Sequence, residues 1–169
     1  LYLEWNSREL VTQNQRLQLE LEGRKATEVA LRQSEERYLL AVEGSNVGIW
    51  DWDIISDQVH YSPAVFKILG RTDHAGLNTT EGWLKYVVDE DQPGLRQAIR
   101  AHLLGKTSHL EFEYQIRRHN GELRWVVTRG LALRDELDHA YRLAGSLEDI
   151  TDRKRAEDQI RFDAIHDAL

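Results

Sequence analysis

The stretch from His109 to Arg134 reads His-Leu-Glu-Phe-Glu-Tyr-Gln-Ile-Arg-Arg-His-Asn-Gly-Glu-Leu-Arg-Trp-Val-Val-Thr-Arg-Gly-Leu-Ala-Leu-Arg. On its first arm Leu110, Phe112, Tyr114 and Ile116 alternate with Glu111, Glu113, Gln115 and Arg117. A period of two marks a strand with one dry and one wet face. Asn120-Gly121 offers the two positive-φ positions of a type I′ turn, whose twist matches antiparallel strands. The second arm, Leu123 to Leu133, alternates less cleanly, with Val126 and Ala132 among the polar positions of its wet face. A two-residue turn puts Ile116 opposite Trp125 and Tyr114 opposite Val127. The dry face is then an aromatic and aliphatic wall that earlier segments must cover. The same register sets Arg129 near Phe112 on that face. A buried guanidinium there needs a carboxylate, an anionic ligand, or a way out at the sheet edge.

At 169 residues and 41% hydrophobic content, the chain suits one domain with helical extensions, or at most two small ones. A formal charge of −7 argues against an extended nucleic-acid surface, which needs clustered Lys and Arg. The absence of cysteine excludes disulfides, thiolate metal sites, cysteine nucleophiles and flavin–cysteine photochemistry. No apolar run approaches the roughly 20 residues of a membrane span. The chain begins in mid-helix with no signal peptide, and so reads as a piece of something longer.

From Leu1 to about Leu40 there is no Pro and one Gly, Gly23. Leu3, Leu10 and Leu17 recur at heptad spacing, with Ser7, Asn14 and Leu21 at the complementary position. That stripe predicts the seam of a two-stranded coiled coil, with Asn14 fixing register. The alternative is a single amphipathic helix lying on its own domain. The seam is predicted to break at Gly23-Arg24-Lys25, and a second helix from Ser34 to end near Gly44-Ser45-Asn46. Strands follow over Gly48 to Asp57 and Val59 to Ser62. Ser62-Pro63 then opens a helix as N-cap and first helical residue. Thr80-Glu81 begins a short helix, and Asp89-Glu90-Asp91 a longer one ending at Gly105, with carboxylates at its positive end. Beyond the hairpin, Tyr141 to Ile150 is a final strand and Thr151-Asp152 caps a last helix. Five antiparallel strands with helices between the second and third make an α+β fold, helices on one sheet face.

The runs Gly48-Ile-Trp-Asp-Trp-Asp53, Tyr61-Ser-Pro63 and Phe66-Lys-Ile-Leu-Gly70 resemble the opening of a PAS domain. Phe112-Glu-Tyr-Gln-Ile-Arg-Arg118, Asn120-Gly121, Arg124-Trp125, Gly145 and Asp149-Ile-Thr-Asp-Arg-Lys154 resemble its closing half, with Asn-Gly where the family often has Asp-Gly. This resemblance spans about Glu35 to Glu157. It implies a PAS fold flanked by signalling helices: a coiled-coil helix over 1–34, a sensor domain over 35–151, and an output helix over 152–169. The tail Phe162-Asp-Ala-Ile-His-Asp-Ala-Leu169 resembles the first helix of GGDEF domains, diguanylate cyclases that make cyclic di-GMP from GTP. The GGDEF signature itself is absent, so no cyclase activity is expected of this chain. The resemblance implies a cytoplasmic signalling module, or the cytosolic part of an inner-membrane protein. It also implies a homodimer through the terminal helices and a covalently linked GGDEF domain downstream. Asp149, Ile150 and Thr151 would pass movement of the last strand to the helices of Lys154 to Leu169. The alternatives are the sensor of a histidine kinase, a ligand-free dimerisation spacer, and a haem or flavin redox sensor.

Enzyme chemistry finds little support. No histidine pair has compact metal-ligand spacing, and Ser62 and Ser146 lack a nucleophile elbow. The ligand-pocket candidates are Trp50, Trp52, Phe66, Leu69, Trp83, Ile99, His102, Phe112, Tyr114, Trp125 and Arg129, core residues first of all. In the resembled family such residues line a small-molecule site, with Tyr114 or Arg129 as polar handle. His102 falls on the apolar stripe of the long helix that carries the axial histidine in some haem-binding PAS sensors. The other reading of His102 is a hydrogen bond that satisfies the end of that helix. Haem or flavin is thus left open as a cofactor.

Overall fold

The computed structural model describes every residue except His74. Its elements are α1 (Tyr2–Ser45), β1 (Gly48–Asp53), β2 (Gln58–Tyr61), α2 (Pro63–Leu69), α3 (Thr80–Leu84), α4 (Gln92–Leu103), β3 (Leu110–Arg117), β4 (Leu123–Arg134), β5 (Ala140–Asp149) and α5 (Thr151–Asp167). They form two compact units, Leu1–Gly44 and Ser45–Leu169.

The first unit is helix. The separate second helix expected around Ser34 does not occur: α1 runs unbroken for 44 residues, through Gly23. One Gly costs about 1 kcal/mol relative to Ala, too little to end a helix rich in Leu, Glu, Gln and Arg. Leu3, Leu10, Leu17 and Leu21 are each more than half exposed, so the heptad stripe stands open along the helix.

The second unit is an antiparallel sheet of order β2-β1-β5-β4-β3. Helices α2 to α4 cover one face, called inner here, around a core that includes Val65, Leu69, Leu95, Tyr114, Ile116, Val126 and Leu147. Capping chemistry differs in detail from the sequence reading. Ser62 precedes Pro63 at the N-cap of α2, yet its hydroxyl accepts from the Ile49 N–H (2.8 Å) rather than capping the helix. Asp91 likewise spends its carboxylate on the Gln115 N–H (2.8 Å), tying α4 to β3.

The hairpin forms, but not with the expected turn. The Gly121 N–H donates to the Arg118 carbonyl (2.9 Å) and the Arg118 N–H to the Glu122 carbonyl (2.8 Å). Gly121 has φ of 87°, while Asn120 is not in the left-handed region. This is a three-residue loop, His119 to Gly121, with a turn followed by an αL glycine bulge, not a type I′ turn. The register moves by one residue. Tyr114 pairs with Val126, Ile116 with Arg124, Phe112 with Thr128 and Glu111 with Arg129. Because side chains alternate at a period of two, that single step exchanges the faces of β4. Val126 and Thr128 turn inward; Trp125, Val127 and Arg129 turn outward.

Candidate functional site

Between the inner face of the sheet and helices α3 and α4 lies a cavity of about 480 Å³. Its aromatic wall is built from Trp50, Trp52, Tyr61, Trp83 and Tyr114. Two glycines clear the sheet surface under Trp50, Gly130 by leaving room for the indole and Gly145 by letting β5 approach the β4 backbone. A Cβ on Gly130 would stand 2.8 Å from Cη2 of Trp50, and one on Gly145 would stand 1.8 Å from the Arg129 carbonyl oxygen. Gly130 and Gly145 pair directly across β4 and β5, so the indole can lie against bare backbone.

Each indole N–H is used within the wall. Trp50 donates to the Ser146 carbonyl (3.0 Å) and Trp52 to Asp57 (2.9 Å). Trp83 donates to the Tyr114 hydroxyl (3.1 Å) and stacks on Tyr61 with ring centroids 5.8 Å apart. Asp57 also accepts from the Thr80 hydroxyl (3.1 Å). Burial raises the pKa of the Tyr114 phenol, and burial followed by the Asp57 charge raises that of Tyr61. Both phenols therefore stay protonated at neutral pH. Leu95, Ile99, Leu103, Leu143 and Leu147 close the aliphatic side. Among the described residues, the charged ones in the lining are Arg96 and Arg100, both solvent-exposed, which places them at the mouth.

Of the candidates read from sequence, Trp50, Trp52, Trp83, Ile99 and Tyr114 line this cavity. Phe66 and Leu69 lie on α2, buried in the core, and Phe112 packs partly buried against that core. Trp125 and Arg129 lie on the opposite face, a consequence of the register. Arg129 pairs there with Glu148 (3.0 Å) and Glu111 (3.2 Å), which removes any need for an anionic ligand. His102 is buried but does not line the cavity. Its Nδ1 donates to the Thr107 carbonyl (3.0 Å) and its Nε2 accepts from the Ala132 N–H (3.0 Å). With both ring nitrogens holding backbone, His102 does not fit an axial haem ligand; it ties the end of α4 to β4. Arg134 reinforces the tie by donating to the His102 carbonyl (2.7 Å).

Sequence reasoning missed Thr128, Leu143 and Leu147 in the cavity wall, and Arg96 and Arg100 at the mouth. Leu143 and Leu147, four apart on one strand, share a face, and that spacing was a usable signal. Thr128 was hidden by the misjudged turn.

At the far end of β4 and β5 the chain enters α5. Thr151 is the first residue of this helix, with Ile150 rather than Thr151 at the N-cap. The buried Thr151 hydroxyl donates to Asp149 (2.6 Å) and accepts from the Trp125 N–H (3.0 Å). The Ile150 N–H donates to the Trp125 carbonyl (2.9 Å). One turn on, Lys154 reaches Glu113 (2.5 Å) and sits 5.0 Å over the Trp125 ring, while Arg153 also reaches Glu113 (2.6 Å). Lys154 first, then Arg153, holds the Glu113 carboxyl below its ordinary pKa. Among the described residues there is no cluster of three or more metal-ligating side chains. Nor is any described helix long and apolar enough to cross a membrane.

Residues 58–147 match the family model described as PAS fold. The chain is 32% identical over 141 residues to a blue-light-activated histidine kinase of Brucella anthropi, covering 82% of this chain and 28% of that protein. It is 27% identical to the non-motile and phage-resistance protein of Caulobacter vibrioides, covering 90% of this chain and 19% of that one. The chain thus spans less than a third of these relatives. Among solved structures, a sensory box histidine kinase/response regulator from Burkholderia thailandensis superposes with a TM-score of 0.66 at 33% identity, covering 77% of this chain and 96% of that one. The N-terminal domain of a diguanylate cyclase with PAS/PAC sensor from Marinobacter aquaeolei shares the fold at a TM-score of 0.58 and 18% identity, covering 64% and 98%.

Proposed function

The chain belongs to the PAS-fold family, and from that premise we propose a ligand-responsive sensory module whose sheet drives helix α5 within a dimeric signalling protein. The observation that carries this reading is a shared pair of strands. β4 and β5 place Thr128, Leu143 and Leu147 in the cavity wall. Two or three residues further along, the same strands hold Trp125 and Asp149 in the clamp on Thr151. An occupant that fits one arrangement of these strands better than another shifts the clamp by that difference in affinity. No flexible linker intervenes between β5 and α5.

The exposed leucines of α1 support a second copy of the chain as partner, because a long helix with an open apolar stripe gains most from a seam. Beyond α5 the reading is a cyclic di-GMP enzyme, supported by the GGDEF-like tail Phe162 to Leu169. The second reading is a histidine kinase output, favoured by relatives 32% and 33% identical. In the protein carrying its effector, assays of GTP cyclisation and of autophosphorylation from ATP separate the two. A Gly-rich insertion after Thr151 should uncouple the effector from the cavity. Regulation that survives the insertion overturns the relay. Native mass spectrometry with a visible absorption trace tests the ligand; a cavity found empty, and unresponsive to any added small molecule, makes the module a dimerisation spacer.

A further inference from the structure

The mouth of the cavity differs from its walls in charge, and that difference says something about the occupant. Among the described residues, no acidic one lines the cavity. The half-buried Asp57 carboxylate is already engaged by Trp52 and Thr80, two lining residues. At the mouth, Arg96 and Arg100 lie four apart on α4 and so share a helix face. Arg96 donates to Glu81 of α3 across the opening (3.3 Å). Arg100 has no carboxylate partner among the described residues. The opening therefore carries one compensated and one uncompensated guanidinium above an apolar, aromatic chamber. A neutral occupant would leave that charge unused. A dianion would exceed it and meet Glu81.

We infer that the cavity takes a hydrophobic carboxylic acid, its apolar body among the tryptophans and leucines and its single carboxylate on Arg100, with Arg96 exchanging Glu81 for the same group. The inference rests on the cavity being a ligand site. Its orientation follows from desolvation, since an inverted acid would bury its carboxylate among apolar side chains, away from both guanidinium groups. Guanidinium and carboxylate match as planar, bidentate partners, which fixes the depth of the body in the chamber.

The test uses the intact chain and two probes alike except for charge, 1-pyrenebutyrate and 1-pyrenebutanol, read by energy transfer from tryptophan to pyrene. The acid should bind about tenfold more tightly than the alcohol, a gap typical of charge-assisted contacts. The gap should narrow at 0.5 M salt. Arg96→Gln/Arg100→Gln, both at exposed positions, should weaken the acid by a similar factor and leave the alcohol unchanged. Equal binding of the two probes, or loss of both in the double variant, overturns the carboxylate inference while leaving the cavity a ligand site. Failure of both probes in the parent chain, with an unchanged melting temperature, overturns the inference and counts against the cavity reading as well.

Discussion

The two faces of the β3–β4–β5 sheet are built on different physics. The inner face presents Tyr114, Ile116, Val126 and Thr128 to the core and the cavity, where apolar contacts dominate and a few neutral hydrogen bonds, such as Trp83 to Tyr114, orient the aromatic rings. The outer face carries two groups of ion pairs: Arg129 with Glu111 and Glu148 between the strands, and Glu113 with Arg153 and Lys154 of α5. Apolar contacts depend on filled volume, so an occupant of the cavity is felt directly by the strands that line it. Half-exposed ion pairs are each worth about 1 kcal/mol or less and re-form easily at new spacings. One face suits holding a ligand. The other suits carrying a helix that must move.

If that contrast is right, substitutions on the two faces differ in cost. Ile116→Ala, at a fully buried inner position, should destabilise the chain by about 3 kcal/mol in urea unfolding. Thr151→Val comes next. It leaves the Trp125 N–H without its acceptor, and should cost about 1–2 kcal/mol. Amide exchange should rise in the first turn of α5 while the inner core stays protected. Arg129→Ala on the outer face should cost about 1 kcal/mol or less, since both its carboxylate partners remain hydrated. Equal losses for Ile116→Ala and Arg129→Ala would erase the distinction between the faces.

The same contrast explains what the sequence made legible. Five strands, their antiparallel order and the helices between β2 and β3 follow from alternation and turn residues, because those patterns are local. The indoles of Trp50, Trp52 and Trp83 were readable as wall for the same reason. The faces of β4 were not. They depended on whether Asn120-Gly121 turned in two residues or three, and the two loops use the same glycine at nearly the same cost. The clue was already in the strand: Val126, Thr128, Gly130 and Ala132 alternate as a small, apolar-leaning set, while the opposite set carries the charge of Arg129. The assumption of a two-residue turn overrode that pattern. The true role of Trp125, a platform under Lys154, needs α5 in place and has no signature within the hairpin. His102 was ambiguous on different grounds, since only a strand distant in sequence supplies the Ala132 N–H that occupies its second nitrogen.

The subtlest difference between the faces is in acid. Glu113 titrates below its usual value of 4.5 because Lys154, then Arg153, stabilise its charged form. A carboxyl whose folded pKa is depressed adds stability above its unfolded pKa and loses it as pH falls through the folded value. The outer face should therefore loosen below about pH 4.5, where the unfolded carboxyl begins to take up its proton first. Glu113→Gln should remove part of this acid dependence, flattening the fall in melting temperature below that pH by a degree or two, since so exposed a network is worth about 1 kcal/mol or less. The α5 amides should then show in the variant at pH 7 the reduced protection, relative to intrinsic exchange at each pH, that they show in the parent chain under acid, with inner-face protection unchanged in both. If the inner face loosens along with α5 at low pH, the ion pairs are part of one cooperative structure, and the outer face is no softer than the inner.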